Sequence, residues 1–121
     1  MSFSTDDLAR IAAAKEVEIE TQAPEGPAHR ATIWVVVDED GNTFVRSYRG
    51  STARWYREAL ANPGVALHVD GRRLPATAIP ATDPDSIERT SAGFLAKYRD
   101  DPATRSMAEK FHDTTLRLEP T

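Results

Sequence analysis

The 121 residues carry 15 Lys and Arg against 19 Asp and Glu, a net charge of −4, with 40% hydrophobic and 28% charged residues. That length suits one domain, residues 1–121, with a single core, and the acidic balance argues against nucleic acid, whose phosphates reward a basic face. With no cysteine, disulfides, thiolate metal sites and a cysteine nucleophile are excluded, and a reducing cytoplasm is the expected location.

The segment Met1–Asp7 lacks the basic start and apolar run of a secretory signal. No apolar run reaches the ~20 residues that span a bilayer, so no membrane partner is expected. Ser4, three residues before Asp7, caps a predicted helix to about Ala14, with Phe3 and Leu8 placed as a hydrophobic staple. From Glu16 the period changes: Glu16, Glu18 and Glu20 alternate with Val17, Ile19 and Thr21, which predicts a strand with one wet face. Ala23-Pro24-Glu25-Gly26-Pro27 breaks regular structure.

Arg30 to Val37 is predicted as a strand. Ile33-Trp34-Val35-Val36-Val37 gives it apolar residues on both faces, the mark of a central, covered strand. Glu39-Asp40-Gly41-Asn42 turns the chain back into a hairpin partner, Thr43 to Tyr48. A polar loop, Arg49-Gly50-Ser51-Thr52, leads to a helix over Ala53–Ala61, which Asn62-Pro63-Gly64 closes. Val65 to Asp70 alternates as a strand, and Arg73 to Ile79 is a further one that Pro75 would confine to an edge or bulge. Asp83-Pro84 starts a helix to about Arg99, Asp101-Pro102 starts a shorter one to Phe111, and Thr114 to Leu118 is a last strand. The fold class is α+β.

One constellation suggests chemistry. Arg46, Ser47, Tyr48, Arg49, Ser51, Thr52 and Arg54 gather within nine residues at a strand-to-helix loop. Free backbone N–H groups and the helix dipole favour an anion at such a loop, and arginine adds bidentate recognition of phosphate. Two readings of this cluster stay open, a phosphate pocket and a solvated face. Trp55 and Tyr56 read first as helix-to-sheet packing groups and second as an aromatic wall; Trp34 reads as core. His29, His68 and His112 lack the spacing of a metal motif. His68 falls on the strand face opposite Val65, Leu67 and Val69, and Glu16, Glu18 and Glu20 form a solvated carboxylate row. His112-Asp113 reads as a helix end, with a hydrolytic pair as the alternative.

The order Arg30-x-Thr32-x-Trp34-Val35, turn, Thr43-Phe44-Val45-Arg46-Ser47, Gly50-Ser51, Arg54-Trp55-Tyr56-Arg57, then Leu60-Ala61-Asn62-Pro63-Gly64-Val65 resembles the flavin split barrels. That superfamily includes pyridoxamine-phosphate-oxidase-like flavoproteins and the deazaflavin-dependent nitroreductases, and the Trp-Tyr pair before Asn-Pro is closer to the latter. The resemblance covers Arg30 to Asp70, about a third of the chain, and the nitroreductases' glycine-rich loop is shorter here. It implies a mainly antiparallel split β-barrel of about six strands with peripheral helices. It also implies coenzyme F-420 or FMN as cofactor, a small-molecule substrate and a homodimer. Carried onto this chain, it places Arg30 and Thr32 at the cofactor's tail, Arg46, Ser47 and Tyr48 along its ring or ribityl chain, and Arg49, Ser51 and Arg54 at its phosphate. The implied activity is hydride transfer; the alternative is a non-catalytic ligand-binding or interaction module on the same barrel without cofactor.

Overall fold

The computed structural model describes residues 2–121; Met1, the first residue of the segment read for a signal, lies outside them. Helix α1 spans Thr5–Ala13, and Ser4 Oγ accepts a hydrogen bond from the Asp7 N–H at 3.1 Å. Phe3 and Leu8 join the same apolar cluster, as a staple requires.

Seven strands make the sheet: β1 Val17–Gln22, β2 Ala28–Ile33, β3 Val36–Val37, β4 Thr43–Val45, β5 Gly64–Val69, β6 Arg72–Pro80 and β7 Leu116–Pro120. They form one curled antiparallel sheet in the order β2-β1-β5-β6-β7-β4-β3. The α+β class and the half-barrel agree with the sequence reading, but there are seven strands where about six are expected. The extra one arises because the expected strand Arg30–Val37 is two strands, divided at Trp34-Val35.

That division corrects the central placement of this segment. β2 pairs only with β1 and β3 only with β4, so they lie at opposite edges of the sheet. Trp34 and Val35 carry the chain between those edges, across the split. Helix α3, Pro84–Lys97, and the Tyr98 that follows it satisfy the Val35 backbone: Lys97 Nζ donates to the Val35 carbonyl at 2.7 Å, and the Val35 N–H donates to Tyr98 Oη at 3.2 Å. The apolar run is thus a crossing covered by a helix, which a continuous apolar pattern does not distinguish from a central strand.

Pro75 is also placed differently. β6 is interior, paired with β5 and β7. The Pro75 carbonyl accepts from Thr121 N–H, so the proline's missing donor faces the last residue beyond β7, where the ladder stops.

Between β4 and β5 lie a 3-10 turn at Gly50–Thr52 and helix α2, Arg54–Ala61. Helix α3, Pro84–Lys97, starts with Asp83 accepting from the Ser86 N–H; α4 covers Thr104–Glu109, and a second 3-10 turn covers His112–Thr114. One apolar cluster fills the half-barrel, with Ile19, Val45, Leu67 and Leu116 under Ile11 of α1 and under Trp55 and Tyr56 of α2. A second joins Val36 and Phe44 to Phe94, Tyr98 and Met107 of α3 and α4. Burying these side chains contributes about 1.5–3 kcal/mol each.

Candidate functional site

A groove of about 770 Å³ runs along β2, floored by Ala31, Thr32 and Ile33 and walled opposite by the segment that follows β4 and by the start of α2. Its volume lies within the range usual for cofactor sites. In a chain of net charge −4, this wall reverses the sign: Lys15, Arg30, Arg49 and Arg54 face Glu16 and Asp101.

The start of α2 explains much of its character. Ala53 occupies the cap position but its side chain offers no acceptor, and no acidic residue stands in the first turn. The first N–H groups of this helix therefore have no capping side chain and are open to water or an anion. Ala53, Arg54 and Trp55 all line the groove. Arg49 and Arg54 are exposed and carry no carboxylate partner among the described residues. Arg30 Nη1 pairs loosely with Glu18 at 3.3 Å on the solvent side.

Gly50 makes a tight approach to Phe111 possible. It sits at φ +68°, and a Cβ there would lie 2.7 Å from the ring of Phe111, itself left-handed at φ +57°. The loop between β4 and α2 is thus pressed against the turn before β7.

Of the residues expected at a cofactor, Arg30, Thr32, Arg46, Ser47, Tyr48, Arg49 and Arg54 line the groove; Ser51 does not, and its neighbour Thr52 does. Arg46 is placed unlike the others. Its side chain is buried, with the whole residue 1% exposed. Its Nε donates to Thr115 Oγ1 at 2.9 Å, Nη1 to the Met107 carbonyl at 2.8 Å and to Ser91 Oγ at 3.0 Å, and Nη2 to the Ile87 carbonyl at 3.3 Å. Burial pushes its pKa down to about 10, still well above neutrality. These bonds tie the residue after β4 to α3, α4 and the turn before β7, so the guanidinium serves the interior. Ser47 is buried beside it, and its N–H donates to Thr114 Oγ1. Its own Oγ has no hydrogen-bond partner among the described residues, an orphan hydroxyl in the groove wall.

Aromatic groups complete the walls. Trp34 is half-buried and lines the groove, and its indole stacks on Tyr98 with centroids 4.0 Å apart and planes 4° from parallel. Tyr98 Oη donates to the Lys15 carbonyl at 2.6 Å, and burial pushes its pKa up to about 12, so it stays a neutral donor. Tyr48 is 57% exposed. Trp55 and Tyr56 are buried in an edge-to-face pair, as packing groups are.

The other histidine readings resolve plainly. His112 spends Nε2 on the Ala108 carbonyl at 2.7 Å rather than on Asp113, which removes the hydrolytic pair. His68 lies on the outer sheet face against Glu20 at 2.7 Å, with Arg73 on the same carboxylate. His29, weighed in the sequence only as a possible metal ligand, lines the groove, and the fold of α2 onto the β1–β2 ladder brings Glu58 to it, a pairing no local pattern in the sequence carries.

A family model matches residues 7–118. The chain belongs to DUF2255, described as uncharacterized protein conserved in bacteria. No curated protein matches it. Among solved structures, this DUF2255 chain is similar to HutZ, the heme storage protein of Vibrio cholerae, at 16% identity and TM-score 0.68 over 100% of this chain and 92% of that one. It is similar to a candidate pyridoxamine 5'-phosphate oxidase from Listeria innocua at 14% identity and TM-score 0.67, over 95% and 90%. It is also similar to an F420 reductase at 18% identity and TM-score 0.63, over 93% and 91%. At these identities the likeness establishes the fold alone, a split barrel. No helix among the described residues is long and apolar enough to cross a membrane.

Proposed function

We propose that the groove binds a phosphorylated aromatic cofactor, coenzyme F-420 or FMN, and that the protein is an oxidoreductase acting on a small molecule in the cytoplasm. The observation that carries this reading is the uncapped start of α2, with unpaired Arg49 and Arg54 beside it, opening on the same groove as the Trp34 indole. The orphan Ser47 hydroxyl in the wall supports it, since a buried hydroxyl without a partner is costly unless a ligand group or water satisfies it.

In this reading Arg49, Arg54 and the first N–H groups of α2 hold the phosphate, and Arg30 and Thr32 on β2 contact the tail. Trp34 and Tyr48 flank the ring, and Ser47 meets a polar atom along it. Arg46 holds the wall in place from behind. Such a cofactor supplies the hydride chemistry when bound, while the protein orients it and excludes water. We include a homodimer in the proposal: β2 is an unpaired edge beside the groove, and Tyr48 is an exposed aromatic at its rim.

Titration of purified protein with FMN and with F-420, followed by absorbance and fluorescence, tests this. Saturable binding of one of them is expected, with Arg49→Ala and Arg54→Ala each weakening it by about tenfold to a hundredfold, the worth of a charge-assisted hydrogen bond. Binding of neither by folded protein, or uptake of hemin instead, would overturn it. Sedimentation velocity reads the dimer.

A further inference from the structure

One cluster at the groove is left unused by this reading. His29 lines the groove, with Nδ1 3.0 Å from Glu58 Oε2 and 3.2 Å from Oε1. Thr21, paired with His29 across the β1–β2 ladder, donates from Oγ1 to Glu58 Oε1 at 2.7 Å. Thr21 is buried, and the Glu58 side chain is 11% exposed. Burial pushes the Glu58 carboxyl up, but the bonds from Thr21 and His29, with Arg54 nearby, outweigh it and hold it below the usual range.

An ionised Glu58 fixes the proton on Nδ1 in both charge states of the ring. Nε2, which has no hydrogen-bond partner among the described residues, is then the atom that changes. In the imidazolium it is an N–H donor; in the neutral ring it is a lone pair. Because the tautomer is held from behind, loss of one proton turns an anion donor into an anion-repelling acceptor. The location makes that matter, since Arg54 and Glu58 stand one turn apart on α2, whose uncapped start opens on the groove.

We propose that His29 is a protonation-gated phosphate contact of this groove, positioned by Thr21 and Glu58 and acting beside Arg54. It rests on the reading that the groove takes a phosphorylated ligand, and it adds that occupancy falls as the imidazole loses its proton. The charged groups on the His29 side of the ladder are Glu58 and Arg54 from α2; the neighbouring β2 residue Arg30 alternates to the other face, where it meets Glu18.

The test uses the full chain labelled with ¹⁵N and titrated with sulfate, whose charge is constant over this range, at about pH 5.5 and about pH 8. The His29 Nε2 resonance is expected to shift saturably at the lower pH, with affinity at least about tenfold weaker at the higher one. His68 and His112 serve as internal controls. In parallel, FMN and F-420 affinities are measured for wild type, His29→Gln and Glu58→Gln across the same range. His29→Gln should weaken binding about tenfold at the lower pH and flatten the pH profile; Glu58→Gln should weaken it while leaving a profile. A His29 Nε2 resonance that stays fixed under saturating sulfate, or a His29→Gln profile that matches wild type, overturns the proposal. If neither cofactor binds but sulfate still moves His29, the cofactor reading fails and the anion contact stands.

Discussion

Arg46 and Arg54 lie eight positions apart, in one stretch of sequence, and the fold uses them in opposite ways. Arg46 sits in a sealed knot where four partners from three elements take up its donors. Arg54 stands at the start of α2 with its charge unspent, facing an open groove. The difference is one of desolvation. A guanidinium removed from water must be saturated by fixed acceptors, and once saturated it holds the structure and has little left for a ligand. A guanidinium at the rim keeps its water and can exchange it for phosphate. Density of positive charge in a sequence therefore overstates the size of an anion site; the count that matters is of cations without internal acceptors.

The largest effect follows from breaking the knot. Arg46→Met leaves the Met107 and Ile87 carbonyls and the Ser91 and Thr115 hydroxyls short of a donor. We expect a loss of at least about 3 kcal/mol in urea unfolding, since each buried orphan costs about 1–3 kcal/mol. The comparison breaks if Arg46→Met melts with the wild type and only loses cofactor affinity, because Arg46 would then be a ligand contact after all.

A smaller effect is expected where the two regions meet. Gly50 joins the buried end of the segment after β4 to the exposed loop, and Gly50→Ala meets both a left-handed φ of +68° and the Phe111 ring at 2.7 Å. Strain of this kind costs about 1–3 kcal/mol. Relief by displacing Phe111 would move the loop carrying Arg49, so the melting temperature and cofactor affinity should fall together. A stability loss with affinity unchanged would show that the loop's position is immaterial to the groove.

How much of this was legible in the sequence follows from the same contrast. Period-two alternation marked β1 and β5, and the Ser4, Asp83 and Gly41 signals marked two helix starts and a hairpin, because each is a local property of a few residues. The Arg30–Val37 segment was misplaced because burial under α3 produces the same apolar run as burial inside a sheet. Seven of the eight expected site residues do line one groove. Whether Arg46 turns inward depends on Thr115, Ser91 and Met107, which lie 45 to 69 positions away. The Thr21–Glu58–His29 cluster needs a strand register and a helix orientation together, and no local pattern carries either.

A third class of cation tests the desolvation argument at its weak end. Arg73, on the outer face of the sheet, meets Glu20 at 2.9 Å, and His68 meets the same carboxylate. Arg73 is paired as Arg46 is, yet it remains near water as Arg54 does. The bond from Arg73, then that from His68, holds the Glu20 pKa at about 2 against an ordinary 4.5. A lowered acid pKa stabilises the fold above the unfolded value and loses that contribution as pH falls through the folded one. The window therefore runs from about 4.5 down to about 2. Solvent screening keeps the contribution of Glu20 to about 1 kcal/mol or less. Melting curves of wild type and Glu20→Gln should differ by that amount near neutrality and converge as the pH falls through this window. If they differ by as much as Arg46→Met does, pairing alone, and not desolvation, separates the knot from the groove.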